Sequence, residues 1–158
     1  MCDAEWRSDA GILPCPGIKG DKDGYIALIA TPKFESGYVD DEPALMTVPE
    51  AVENGEIVGK FLPILIPANS AFRTVVGCLY DSETCDVEFV VKYQIEGEDE
   101  KILGTWNEKY DDEITHINED LDALGMADKK VTFKFEVQAK GTGTDNKAFW
   151  LHPMVTGP

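Results

Sequence analysis

Apolar and polar residues alternate with a period of two along much of the chain. In Lys130–Ala139 the residues Val131, Phe133, Phe135, Val137 and Ala139 share one face, and Thr132, Lys134, Glu136 and Gln138 share the other. Successive side chains of a strand point to opposite sides, so this pattern predicts a half-buried antiparallel strand. Residues 85–95 repeat it, with Val87, Phe89, Val91, Tyr93 and Ile95 on one face. Further strands are expected over residues 25–30, Ala44–Val48, 56–66, 71–79, 101–106, 113–118 and 148–155. Pro63 and Pro67 restrict the 56–66 segment to an edge, a bend or a strand end, because proline cannot donate to a ladder.

The segments between these runs are rich in Gly, Asp, Asn and Glu: GDKDG at 20–24, EGEDE at 96–100 and KGTGTDN at 140–146. They carry turn chemistry. No long helical period occurs. Residues 120–125 (DLDALG) predict one helical turn ended by glycine, and residues 49–54 a second short one. Eight to ten short strands at regular spacing predict an all-β antiparallel sandwich with one or two short helical turns. No linker or repeat divides the sequence, so residues 1–158 are expected to form one domain, with 1–14 as an N-terminal arm.

At 158 residues, such a domain buries roughly 68–70% of the surface its unfolded chain would expose. It needs no metal or disulfide merely to fold. Lys and Arg number 14 against 30 Asp and Glu, a net charge of −16. That balance argues against nucleic acid or an anionic membrane as partner, since phosphate binding needs a basic surface. No run nears the roughly 20 apolar residues of a membrane span. The start MCDAEWRSDAG is polar and acidic, unlike a signal peptide, so an exported protein would carry its signal outside this sequence.

The cysteines are Cys2, Cys15, Cys78 and Cys85, with no C-x-x-C and two distant histidines, which disfavours zinc. Cys78 and Cys85 flank the turn-like LYDSET, a spacing that suits a disulfide across a hairpin. Cys2–Cys15 is the natural second pair and would pin the arm. Either disulfide implies an oxidising, extracellular setting; four free thiols in a reducing compartment are the alternative.

Enzyme motifs are missing: no G-x-S-x-G, phosphate loop, G-x-G-x-x-G or H-E-x-x-H occurs. His152, next but one to Trp150, and His116, between Thr115 and Ile117, read as packed strand residues. Thirty acids make some close carboxylate pair inevitable, so their number does not argue for a glycosidase. Aromatic side chains are another matter, because a sugar ring stacks on a flat face while its hydroxyls find amides and carboxylates. Trp6, Trp106, Trp150, Tyr80, Tyr93 and Tyr110 are the candidates. Trp150 and Tyr93 fall on core faces, and Tyr80 lies in the Cys78–Cys85 loop. Trp106, Asn107, Glu108 and Tyr110, in a segment expected to leave its strand, form the predicted ligand-binding set.

Several stretches resemble a known module. They are Asn54, Gly55, Ile57, Gly59, Phe61 and Pro63; Leu103, Gly104, Trp106, Glu108, Tyr110 and Asp111; Asp120, Leu121, Leu124 and Gly125; and Asp145, Asn146, Ala148, Phe149, Trp150 and Pro153. Together with the alternating strands, they are similar to the galactose-binding-like, carbohydrate-binding-module-like jelly roll of bacterial secreted and surface proteins. The resemblance implies a non-catalytic domain of a larger exported protein, located outside the cell or on its surface, with a glycan as partner. It also implies a structural calcium joining an early acidic segment to the last strand, with Glu35, Asp40 and Asp145 as ligands. The D-x-D-G at Asp21, Asp23 and Gly24 resembles the start of a calcium loop without its downstream glutamate. A spacer or adhesive domain that contacts only other proteins is the competing expectation.

Overall fold

The computed structural model describes residues 2–141 and 144–157. Two antiparallel sheets face each other as a sandwich. One contains β1 (Ala4–Ser8), β2 (Gly11–Leu13), β5 (Glu56–Phe61), β8 (Asp86–Ile95), β9 (Lys101–Lys109) and β11 (Lys130–Ala139) in the order β2-β1-β5-β11-β8-β9. The two-residue β6 (Ile64–Leu65) also pairs with β11. The other has the order β10-β7-β12-β4-β3, from β3 (Tyr25–Ile29), β4 (Ala44–Val48), β7 (Ala71–Cys78), β10 (Thr115–Asp120) and β12 (Ala148–Thr156).

The alternation seen in the sequence explains this arrangement. Val87, Phe89 and Val91 of β8 and Val131, Phe133 and Phe135 of β11 point inward and meet Ile26, Leu45, Val76 and Trp150 of the second sheet. Trp150 stacks on Phe135, with ring centroids 4.6 Å apart, and receives the edge of Phe89 at 4.8 Å. Its buried indole N–H donates to Thr47 Oγ1 at 3.2 Å, so the ring costs no unpaired polar group. Outside the first sheet, polar residues form pairs such as Lys92 with Glu136 at 2.8 Å.

A second, smaller core covers the outer face of the five-stranded sheet. Tyr25, Ala44, Met46, Phe149 and Leu151 point outward there, and the β3–β4 loop lays Phe34 over them. Phe34 and Phe149 stack nearly parallel, 4.6 Å apart. Gly77 permits this packing: a Cβ there would stand 3.0 Å from Ile114 Cγ2 and 3.1 Å from the Phe149 ring.

Both expected disulfides form, Cys2–Cys15 and Cys78–Cys85. The remaining departures are local. The expected arm at 1–14 contains β1 and β2, and Trp6 is fully buried over Gly59. Neither helical turn forms among the described residues. Residues 121–125 make a hydrogen-bonded turn that draws Leu121 and Met126 into the core, and residues 51–54 are bends and turns. The strand expected at 113–118 runs from Thr115 to Asp120. His152 and His116 are exposed rather than packed. The register of β12 slips between Leu151 and Met154, where His152 takes φ 40° and turns its ring out toward Glu42, 3.6 Å away. His116 falls on the outward side of β10 because its neighbour Ile117 faces the core. Within the expected turn at 140–146, Thr142 and Gly143 lie outside the described residues. Among the described residues, no helix is long and apolar enough to cross a membrane.

A candidate sugar-binding end

Four loops meet where β7 ends: residues 30–43, 79–85, 110–114 and 140–147, the last described on either side of Thr142 and Gly143. Backbone hydrogen bonds lock them together. Glu35 N–H donates to the Cys78 carbonyl at 3.2 Å, and Tyr80 N–H to that of Lys33 at 3.1 Å. Leu79 N–H donates to Lys147 at 3.1 Å, and Tyr110 N–H to Cys85 at 3.0 Å. The buried Ser82 hydroxyl donates to the Asp145 carbonyl and accepts from Lys147 N–H at 2.9 Å. The Cys78–Cys85 bridge closes the base of the central loop.

This platform exposes two tyrosine rings. Tyr38 is 61% exposed and Tyr80 47%. Lys33 Nζ stands 4.4 Å from the Tyr80 ring centre. The half-buried Tyr110 donates its hydroxyl to the Tyr80 carbonyl at 2.7 Å, fixing the backbone beneath that ring. Burial, followed by the negative charges of Glu83, Asp112, Glu35 and Asp81, raises the pKa of the Tyr110 hydroxyl. The platform is thus strongly acidic. Lys147 offsets part of this charge, 2.8 Å from Asp81 and 3.5 Å from Asp145.

Glu35 lies under the platform, only 5% exposed. Its Oε2 accepts from Asp111 N–H at 3.0 Å, while Oε1 is buried without a hydrogen-bond partner. Burial, with further contributions from Asp111, Glu108 and Asp112, pushes its pKa up to about 7; the Asp111 hydrogen bond acts the other way. Glu108 is also buried and accepts from the Thr115 hydroxyl. Its pKa is raised, chiefly by desolvation.

The expected ligand set is divided between two faces. Strand β9 continues to Lys109, paired with β8 in one register from Gly104 onward, so side chains still alternate at 106–108. Trp106 and Glu108 point inward, and Trp106 lies across Gly104, where a Cβ would come within 2.4 Å of its ring. Asn107 points to the opposite, outer face and accepts from Lys140. Tyr110 alone of the four reaches the loop platform. The expected calcium ligands are also separated in role. Glu35 is turned inward, Asp40 Oδ1 accepts from Glu42 N–H at 2.9 Å within its own turn, and Asp145 faces Lys147. Among the described residues, no three His, Cys, Asp or Glu side chains gather to hold a metal ion. In the D-x-D-G segment, Asp21 caps its own turn by accepting from Asp23 N–H at 3.0 Å. Trp6, Trp150 and Tyr93 are buried.

A second polar surface lies on the outer face of the five-stranded sheet. There a groove of about 430 Å³ runs past Arg73, His116 and Asn118 to Glu42 and His152. Arg73 Nε donates to Asn118 Oδ1 at 3.0 Å. The groove offers donors and acceptors, but among the described residues no Phe, Tyr or Trp lines it.

No protein-family model matches the chain, and no curated protein sequence matches it. Its architecture does match solved carbohydrate-binding modules. TmCBM61, in complex with β-1,4-galactotriose, aligns over 98% of this chain and 88% of its own, with a TM-score of 0.59 and 9% identity. CBM51 from Clostridium perfringens GH95, in complex with methyl-galactose, aligns over 96% of this chain and 88% of its own, with a TM-score of 0.52 and 16% identity. The chain therefore has a carbohydrate-binding-module-like β-sandwich fold, the jelly roll that its alternation and motifs pointed to. At these identities the likeness establishes the fold alone.

Proposed function

We propose that the chain is a non-catalytic carbohydrate-binding module of an exported protein, which holds an uncharged galactose-type sugar at the tyrosine-bearing end. The observation that carries this reading is the exposure of Tyr38 and Tyr80 on loops hydrogen-bonded to one another. A pyranose stacks on such a ring, and a platform already ordered loses little entropy when it binds. Lys33, Asp81 and Glu83 lie on the same loops and supply donors and acceptors for hydroxyls. The surrounding carboxylates disfavour uronic and other anionic sugars. Both neighbours described above hold galactose-based ligands, which supports that sugar as the first to try. Two disulfides suit an oxidising compartment, which supports export.

Isothermal titration with methyl-galactose and β-1,4-galactotriose tests the proposal, alongside a glycan array run with calcium and with chelator. Saturable binding is expected. Tyr80→Ala should weaken it by at least about tenfold, the equivalent of about 1.4 kcal/mol, with unchanged melting. Loss of binding in Arg73→Ala but not in Tyr80→Ala would move the site to the sheet groove. A folded protein silent on every glycan would favour a spacer or adhesive domain.

A further inference from the structure

A larger opening lies at the other end of β7, where Phe72 stands near its start. It is a cleft of about 690 Å³, walled by Phe61, Phe72, Phe133 and Phe135 and bordered by Leu28 and Leu62. Irregularities flank it in both sheets. In the first sheet, β5 stops at Phe61 and β6 starts at Ile64, so pairing with β11 lapses between Lys134 and Val131. Pro63 occupies that gap and has no N–H to continue the ladder. In the second sheet, β12 loses register at His152 and Pro153. Both prolines line the cleft. The strands on its two sides thus depart from regular pairing where the cleft lies, with the partly buried Phe61 at the opening and the buried Phe72, Phe133 and Phe135 forming its floor.

Large apolar side chains surround the opening: Leu28 is 57% exposed and Leu62 70%. Single exposed leucines are ordinary, but several bordering an aromatic cleft mark a binding surface. The volume falls in the range of small-molecule sites, about 300–1,000 Å³. Among the described residues, Asp3 and His152 are the ionisable side chains in the lining, which contains no Lys or Arg. Glu42 lies 3.6 Å from His152, and the chain carries a net charge of −16. Among the described residues, a fatty acid or another anionic amphiphile would meet no lysine or arginine in the lining, and the net charge would repel it.

We propose that this cleft binds an uncharged apolar small molecule, independently of sugar binding at the tyrosine-bearing end. Trp150 provides a reporter, because it stacks on the wall residue Phe135. Titration with the uncharged probe N-phenyl-1-naphthylamine should give saturable one-to-one binding and quench tryptophan emission by energy transfer. Dodecanol should displace the probe, and dodecanoate should not. Two variants address the site: Val155→Phe, which fills the cleft, and Leu28→Asp/Leu62→Asp, which charges its border while leaving the core residues in place. Each should weaken the probe about tenfold. If the filled variant fails to fold, the border variant decides alone. Non-saturating uptake, equal displacement by dodecanoate, or undiminished affinity in a folded border variant would overturn the proposal. So would sedimentation showing a dimer that Leu28→Asp/Leu62→Asp converts to monomer, because a second copy would then cover the cleft.

Discussion

The two ends of the sandwich are built on opposite plans. At the tyrosine-bearing end, loops from separate parts of the chain exchange backbone hydrogen bonds, a disulfide closes the central loop, and Phe34 anchors the β3–β4 segment on Phe149. At the cleft end, pairing lapses beside prolines in both sheets, and the leucines Leu28 and Leu62 stand exposed around a floor of buried phenyl rings. One end spends its apolar residues on holding loops still, and the other leaves them available. Placing polar groups accurately for a sugar calls for the first plan. Enclosing an apolar molecule, which needs area more than direction, suits the second.

The sharpest way to break this contrast is to remove the anchor. Phe34→Ala should destabilise the chain by about 3–5 kcal/mol and abolish sugar binding, because a buried phenyl is lost together with the order of its loop. Urea unfolding and titration calorimetry measure both, and retained binding in a folded variant would mean that the platform does not depend on the smaller core. Next comes the double variant Cys78→Ser/Cys85→Ser. A loop this short is expected to contribute about 2–3 kcal/mol, with sugar affinity falling while probe binding at the cleft persists. Equal losses at both ends would show that the two are not independent.

A smaller effect is pH-dependent. Glu35 titrates near 7 in the folded chain, against an ordinary value of 4.5, so folding favours its protonated form. Its stabilising contribution is complete below about pH 4.5 and is lost as the pH rises through about 7. The expected fall between pH 5 and 8 is about 2–3 kcal/mol. Glu108 and Glu56, whose pKa values are also raised, act in the same direction. Urea midpoints between pH 5 and 8 should therefore decline in the native chain and decline less in Glu35→Gln. Equal slopes would remove Glu35 from this role.

The central strands were legible because their alternation is long and unbroken, as in β8 and β11. The first two strands were not, since β1 offers Ala4, Trp6 and Ser8 on its inward side and β2 has only three residues. Cysteine spacing indicated Cys78–Cys85, and Cys2–Cys15 was the pair that remained. Of the candidate platform, Tyr80 and Tyr110 stood out in the sequence as aromatics among turn residues. Asn107 lies on the face opposite Trp106 because β9 runs three residues beyond Trp106, and successive side chains of a strand point to opposite faces. Tyr38 escaped notice in a polar loop, although Phe34 four residues earlier was a clue. An apolar ring in such a segment needs somewhere to pack, and here it packs on the outside of a sheet.

The slip in register along β9 has a consequence for life in a crowd. An exposed edge strand invites another chain to add itself, the route by which β proteins associate through their backbones. In β9 the pairing shifts between the partners of Val91 and Lys92, which leaves Leu103 out of step and bends the strand. Lys101 and Lys109 mark its two ends with charge. A neighbouring copy meets an interrupted row of amides and carbonyls along β9, which hinders backbone pairing at this edge.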